Sequence, residues 1–163
     1  MNPQPCNPFW DYSVSLYARE GVATACLQLQ DDFGLDVNLV LYACWLAQRN
    51  VMLTPAHLAE VDSLTTRWRV QVVQPLRQLR QQWRAVASAK DLRSAIKALE
   101  LQAERQQQDQ MYTCFSAAQA LPAGAGALRS NLALVATGTA LADENLALLL
   151  EQLALLCERV NSG

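Results

Sequence analysis

Apolar residues recur three and four positions apart along most of this chain, which is the spacing of one face of an α-helix. The stripe is clearest near the end, where apolar residues stand at positions 146, 149, 150, 153, 156, 157 and 160. Leu and Ala, which favour helices, supply far more of these positions than Val and Ile. The pattern predicts an all-α protein, a helical bundle of about seven to eight helices.

Residues that begin or end helices recur between these stripes. Asn7-Pro8 and Thr54-Pro55 each join an N-cap residue to a proline at the first helical position, and Gly34 is placed to end a helix in the left-handed conformation. Asp36, Asp91 and Asp143 are further predicted N-caps. The sequence predicts helices at about 8–19, 22–33, 37–49, 55–64 continuing to 86, 92–119, 131–141 and 144–160, with a flexible loop near 121–130.

Length and composition predict one domain over residues 1–163. The chain is 52% hydrophobic, and no linker-like stretch divides it. Its longest apolar run, Leu39–Ala47, is shorter than the roughly 20 residues that a membrane span needs. Residues 1–10 do not resemble a signal peptide, and five widely spaced cysteines are typical of free thiols in a reducing compartment. We therefore expect a cytoplasmic protein without membrane insertion.

Positive charge is concentrated in one segment. Residues 67–97 hold eight of the thirteen basic residues and a single acid, Asp91, for a net charge of +7. The remainder carries five bases and fourteen acids, for a net charge of −9. A concentrated basic surface suits an anionic partner, either RNA or an acidic protein surface.

Helical geometry separates the basic side chains of this segment from its apolar ones. Because an ideal helix turns about 100° per residue, the apolar positions between Trp68 and Val86 fall in one arc and the arginines fall beside it. Pro75 predicts a kink or a restart of the helix. Arginine side chains suit phosphate or carboxylate groups, although a solvated helix face explains the same pattern. The predicted partner-binding residues are Arg69, Arg77, Arg80, Arg84, Arg93 and Lys97.

The sequence contains few residues of the kinds that catalysis, metal binding or phosphate binding requires. The single histidine, His57, lies in a predicted first turn, and the chain has no C-x-x-C unit and no phosphate-binding glycine loop. We therefore predict no catalytic residue and no cofactor. Asp31, Asp32 and Asp36 resemble the Mg²⁺-binding aspartates of squalene and phytoene synthases, but Gly34 interrupts the helix between them. A Mg²⁺ or diphosphate site at the turn between Asp31 and Asn38 stays open as an alternative.

Several strings in the first two thirds of the chain form a recognisable set. They are Phe9-Trp10-Asp11-Tyr12-Ser13, Gly21-Val22-Ala23, Cys26 to Asp31, Asp36 to Leu41 through Trp45-Leu46-Ala47, Trp68, and Val73-x-Pro75-Leu76-Arg77-x-x-Arg80. This set resembles a bacterial family known as domain of unknown function 2390. The resemblance implies a small cytoplasmic helical protein without an assigned activity. It also implies genes that lie near those for ribosome-associated ABC-type ATPases, which would fit a translation-linked adaptor.

Two further interpretations remain open beside an adaptor with a basic surface. Trp10, Tyr12, Gln28 and Asn38 are polar or aromatic residues within the strings, and they predict either a buried hydrogen-bond network or a small-molecule pocket. The Leu-rich last helix instead suits packing against a second copy of the chain, as in a homo-oligomer. The sequence is best interpreted as a non-catalytic binding or adaptor protein.

Overall fold

The computed structural model describes residues 6–115, the backbone of 121–122, and residues 126–137 and 143–159. Within these ranges the protein is all-α, as predicted, with one short antiparallel ladder that joins β1 (Val51–Met52) to β2 (Leu121–Pro122). No described helix combines the length and the apolar character needed to cross a membrane. The helices are α1 (Pro8–Tyr17), α2 (Val22–Phe33), α3 (Val37–Gln48), α4 (Pro55–Trp68), α5 (Gln74–Gln82), α6 (Lys90–Thr113), α7 (Ala127–Ala136) and α8 (Glu144–Glu158).

Most of the predicted caps are confirmed. Asn7 Oδ1 accepts hydrogen bonds from the N–H groups of Phe9 and Trp10 at 3.0 and 3.1 Å. Asp36 and Asp143 cap α3 and α8 in the same way, and Gly34 ends α2 with a φ of 69°. Local side-chain chemistry therefore sets these helix boundaries.

Three boundaries differ from the prediction. α6 begins at Lys90, directly after a 3₁₀ turn over Ala87–Ala89, so Asp91 lies in the first turn and does not cap the helix. The same helix ends at Thr113 rather than near 119. α7 begins at Ala127 rather than near 131, because Gly126 with a φ of 93° allows the chain to enter the helix there. Residues 116–120, which follow the end of α6, lie outside the described residues, as do 123–125 of the predicted loop, 138–142 and 160–163.

The contacts divide the chain into two compact units, and the single-domain interpretation stays a prediction. The first unit contains Met1–Leu58 and Phe115–Gly163. Its core is built on α3, where every residue from Asn38 to Leu46 is buried. α7 packs along α3, and α8 packs against α2 and α7. Phe9, Tyr42 and Trp45 form an aromatic cluster with ring centroids 5.2 to 5.7 Å apart.

Asn131 joins three segments of the first unit from within its core. This fully buried side chain accepts a hydrogen bond from Leu53 N at 2.8 Å. Its Nδ2 donates to the carbonyl oxygens of Ala43 and Val51 at 3.2 and 3.0 Å. One amide on α7 therefore satisfies backbone groups of α3, of β1 and of the residue after β1.

The second unit, Ala59–Cys114, is an antiparallel pairing of a long irregular helix with α6. The predicted interruption at Pro75 takes the form of a π-helical segment over Arg69–Val73. α5 then begins at Gln74, with Pro75 in its first turn, where a proline lacks no hydrogen bond that the helix needs. Trp68 is half-buried rather than central to the core, and its Nε1–H donates to the Ala103 carbonyl oxygen at 2.9 Å.

Candidate functional site

The basic segment lies in the second unit, where part of its charge is neutralised internally. Arg77 Nε lies 3.0 Å from Glu100 Oε1, and Arg77 Nη2 lies 2.8 Å from Glu104 Oε1. Arg80 also forms an ion pair with Glu100. The side chains of Arg77, Arg80 and Glu100 are only 19%, 24% and 7% exposed. Arg77 and Arg80 therefore stabilise the pairing of α5 with α6 and do not form an open arginine face.

Glu100 is the centre of this network. Burial by itself raises the pKa of its carboxyl group, but hydrogen bonds from Arg80 and Arg77 outweigh burial, so the net pKa is lowered. Glu100 and Glu104 are four residues apart and lie on the same side of α6. The carboxylate is consequently ionised at neutral pH and holds two cations of the facing helix.

Arg69 is also paired within the second unit. Its Nη1 lies 3.0 Å from Asp62 Oδ1, and its Nη2 donates to Thr66 Oγ1 at 3.2 Å. Three of the six predicted partner-binding residues thus have internal carboxylate partners. Whether any of the six contacts another molecule stays a prediction.

Four of the five remaining basic residues of the segment lie where α5 leads into α6, while the fifth, Arg67, is in α4. Arg84, Lys90, Arg93 and Lys97 form this surface, which we call the basic tip. Arg93 Nη1 donates to the carbonyl oxygen of Arg84 at 3.1 Å, so the two residues are neighbours across the turn. Lys90, Arg93 and Lys97 follow one another at helical spacing on one side of α6. Across the described ranges, no ion pair of 4.0 Å or less involves a residue of the basic tip.

Apolar side chains accompany these bases. Leu101 continues the line of Lys90, Arg93 and Lys97 and is 54% exposed. Leu92 and Val86 are 59% and 44% exposed. Trp83 is half-buried at the start of the 3₁₀ turn Trp83–Ala85. Leu101 thus adds an exposed apolar side chain to the side of α6 that carries Lys90, Arg93 and Lys97.

The predicted pocket residues of the first unit line two different cavities. A cleft of about 790 Å³ is lined by Tyr12, among others, and a second cavity of about 440 Å³ is lined by Gln28. The two share no lining residue. Asn38 is buried in the first turn of α3, with its N–H bound to Asp36, and Trp10 is half-buried on α1. Tyr12 and Gln28 therefore line separate cavities, and a ligand pocket shared by the four residues stays a prediction.

The larger cleft contains thiol and guanidinium groups that were not predicted from the sequence as parts of one site. Arg19, Cys44, Arg49 and Cys157 line it together with Tyr12. Burial, followed by the nearby thiols of Cys44 and Cys157, raises the pKa of the Tyr12 hydroxyl. Cys44 and Cys157 are 113 residues apart in sequence, so no spacing motif points to their meeting in space.

The other three cysteines are also free thiols. Cys26 is buried and Cys114 is half-buried, in line with the prediction, but Cys6 is exposed. Burial raises the pKa of the Cys26 thiol to about 12.

His57 has a structural partner that its sequence position did not reveal. Its Nε2 lies 3.0 Å from the hydroxyl oxygen of Tyr42, a fully buried residue of α3. The pair satisfies the polar end of a buried aromatic side chain. The sequence showed only that the single histidine lies in the first turn of α4, and this position does not predict a contact with Tyr42.

The aspartates of the α2–α3 turn are not assembled as a metal site. Asp31 and Asp32 are exposed on α2, while Asp36 uses its carboxylate to cap α3. Over the part of the chain that the structure describes, no group of three or more His, Cys, Asp or Glu residues is arranged to hold a metal ion. Asp36 is best explained as an N-cap.

This assignment predicts different effects for two neighbouring carboxylates. Asp36→Ala is expected to lower the free energy of unfolding by about 1 kcal/mol, because the hydrogen bond to Asn38 N at 2.9 Å is lost. Asp32→Ala, near the negative end of the α2 dipole, is expected to be neutral or mildly stabilising. Thermal melts with and without Mg²⁺ check both. A Mg²⁺-dependent rise in Tm that both substitutions abolish would contradict the assignment.

The apolar stripe of the last helix is used mainly inside the first unit. Leu146, Leu149 and Leu153 are buried, whereas Leu148 and Leu155 are 68% and 46% exposed. Arg129 pairs with Glu151 and Glu158 on the exposed side, at 2.7 and 2.6 Å. The oligomer alternative stays a prediction that rests on two exposed leucines.

Residues 8–111 match the model of a protein family described as a protein of unknown function, DUF2390. The matched range runs from the start of α1 to near the end of α6. It confirms the family resemblance seen in the sequence. No curated protein and no solved structure matches the chain.

Proposed function

The chain belongs to the DUF2390 family, whose function is unknown, and we propose that it is a non-catalytic binding protein whose basic tip contacts an acidic protein segment. The observation that carries the proposal is the contrast within the basic segment. Arg69, Arg77 and Arg80 are held by carboxylates of their own unit, whereas the basic tip has no such partner among the described residues. The positive charge left over is thus concentrated at one end of α6.

An aliphatic residue on the same side of α6 as the basic tip favours a protein over RNA as the partner. Leu101 is more than half exposed, and its burial against apolar side chains would add to charge pairing. Sequence-tolerant RNA binding instead relies on exposed aromatic rings that stack on bases. Trp83, the aromatic residue nearest to the basic tip in sequence, is half-buried. A segment that carries Glu or Asp next to Leu or Ile matches this surface better.

A double substitution tests the basic tip. Lys90→Gln with Lys97→Gln removes two exposed charges that form no ion pair with the described residues. At about 0.5–1 kcal/mol per charge, we expect the Kd of a captured partner to rise about five- to thirtyfold. Partners are captured from cell lysate with the full chain, identified, and titrated against each variant by calorimetry.

The matched control is Arg67→Gln with Arg159→Gln, which removes the same charge from exposed positions outside the basic tip. We expect it to leave the Kd within about twofold of the parent value. Equal weakening by both double variants would show a general charge effect and would refute the proposed surface. Capture that disappears after nuclease treatment and falls steeply with salt would instead identify RNA as the partner.

A further inference from the structure

Two cysteine side chains of the first unit meet in the larger cleft. The Sγ atoms of Cys44, in α3, and Cys157, in the last turn of α8, lie 3.9 Å apart, which is S–H···S hydrogen-bond distance. Both line the 790 Å³ cleft. Cys44 is buried and Cys157 is half-buried, so a small solute in the cleft has access to the pair mainly through Cys157.

The surroundings distinguish the two sulfurs. Arg19 Nη1 donates to the carbonyl oxygen of Cys157 at 3.4 Å, which holds a guanidinium charge beside this residue. The hydrogen bond between the Cys157 and Cys44 thiols and the charge of Arg19 outweigh burial and the carboxylate of Glu158, so the pKa of Cys157 is lowered. The pKa of Cys44 is raised by the same hydrogen bond, by burial and by the neighbouring thiols. Because Cys157 is also the more exposed of the two in the cleft, it is the better placed to act as the nucleophile of the pair.

We propose that Cys44 and Cys157 form a peroxide-reactive dithiol site that closes to a disulfide. The Cys157 thiolate attacks one oxygen of hydrogen peroxide, the O–O bond breaks, and the hydroxide that leaves takes up a proton to become water. Cys157 is then a sulfenic acid. The Cys44 sulfur attacks this sulfur, the S–O bond breaks, and a second water leaves with the Cys44 proton. Two thiols lose two electrons and two protons, and one peroxide becomes two waters.

The position of Cys157 permits the final step. The sulfurs must approach from 3.9 Å to about 2.0 Å. Cys157 stands one residue before the end of α8, where helix carbonyls have no partner further along the helix. Movement there breaks fewer hydrogen bonds than movement in the middle of α3, where Cys44 is fixed.

The test uses the full chain, reduced and then freed of reductant. Hydrogen peroxide is added at pH about 7, free thiols are blocked with N-ethylmaleimide, and peptides are mapped by mass spectrometry. We expect a disulfide-linked peptide pair that contains Cys44 and Cys157. Cys44→Ser should instead leave a sulfenic acid at Cys157 that dimedone traps. Cys157→Ser should slow peroxide consumption by about tenfold or more, while Cys114→Ser, a half-buried thiol of the second unit, should not change it.

Arg19→Gln tests whether the positive charge of Arg19 stabilises the Cys157 thiolate, because the substitution removes the charge and keeps a side chain of similar length. We expect it to raise the pKa of Cys157, so that maleimide labelling slows severalfold near pH 7 and recovers at alkaline pH. The other groups around Cys157, namely Cys44, Cys26, Tyr12 and Glu158, stay unchanged in this variant. An absent or different disulfide, peroxide consumption that ignores Cys157, or an unchanged pH profile in the Arg19 variant would each overturn the proposal.

Discussion

Replacing Asn131 by leucine is expected to lower the free energy of unfolding by about 3 kcal/mol or more. Leucine has the same number and branching of heavy side-chain atoms as asparagine but is larger and offers no hydrogen bond. The N–H of Leu53 and the carbonyl oxygens of Ala43 and Val51 would each lose a partner inside the core. Each buried polar group left without a partner costs about 1–3 kcal/mol. Chemical denaturation of the parent and the variant measures the difference.

Two companion variants sharpen this experiment. Asn131→Asp keeps the acceptor for Leu53 but removes both donors, so it is expected to lose a large part of the same stability. Asn145→Leu, at an exposed position of α8, is the control and should change stability by less than about 0.5 kcal/mol. If the Asn131 and Asn145 variants were equally stable, Asn131 would not be the link between α7, α3 and β1.

Glu100→Gln is expected to lower the free energy of unfolding by about 2–4 kcal/mol. The neutral amide cannot pair with two guanidinium groups, which would stay side by side with Glu104 as their remaining carboxylate. The expected cost is at the lower part of the range for buried ion pairs because Arg77 and Arg80 keep some exposure to water. Glu104→Gln, which leaves Glu100 in place, should cost about 1 kcal/mol or less.

The difference in stability between the parent protein and the Glu100→Gln variant is expected to depend on pH. Because the pKa of Glu100 is lowered on folding, its contribution is fully present above the unfolded value of about 4.3. It is lost as the pH falls through the lower folded pKa. The stability gap between parent and Glu100→Gln should therefore be constant near neutral pH and narrow below pH about 4. A gap that stays constant into strong acid would show that the carboxylate charge contributes little.

Local signals in the sequence were enough for most of the fold. Asn7, Asp36 and Asp143 cap helices by accepting hydrogen bonds from backbone N–H groups two or three residues further along the chain. A short stretch of sequence is therefore enough to predict their roles. The pairing of Arg77 and Arg80 with Glu100 was not predictable in this way. It depends on the register between α5 and α6, which is set by packing across the hairpin.

The candidate sites also depend on contacts between helices that the sequence does not predict. The charge asymmetry of residues 67–97 was visible in the sequence, but which bases stay unpaired depends on the facing helix. Asn131 stands beside the apolar Leu132 and four residues before Val135, which places it on the buried face and was an available signal. No comparable signal exists for Cys44 and Cys157, whose meeting requires α3 and α8 to be packed first.

The division of the chain has a consequence for its synthesis on the ribosome. The second unit is one continuous stretch, 59–114, so all of its partners emerge together and it can fold while translation continues. The first unit waits for residues beyond 115. Until α7 leaves the exit tunnel, α3 lacks the helix that packs along it in the finished protein, although α1 and α2 have already been made. Part of the apolar surface of α3 therefore stays exposed to solvent until residues 127–136 have been translated.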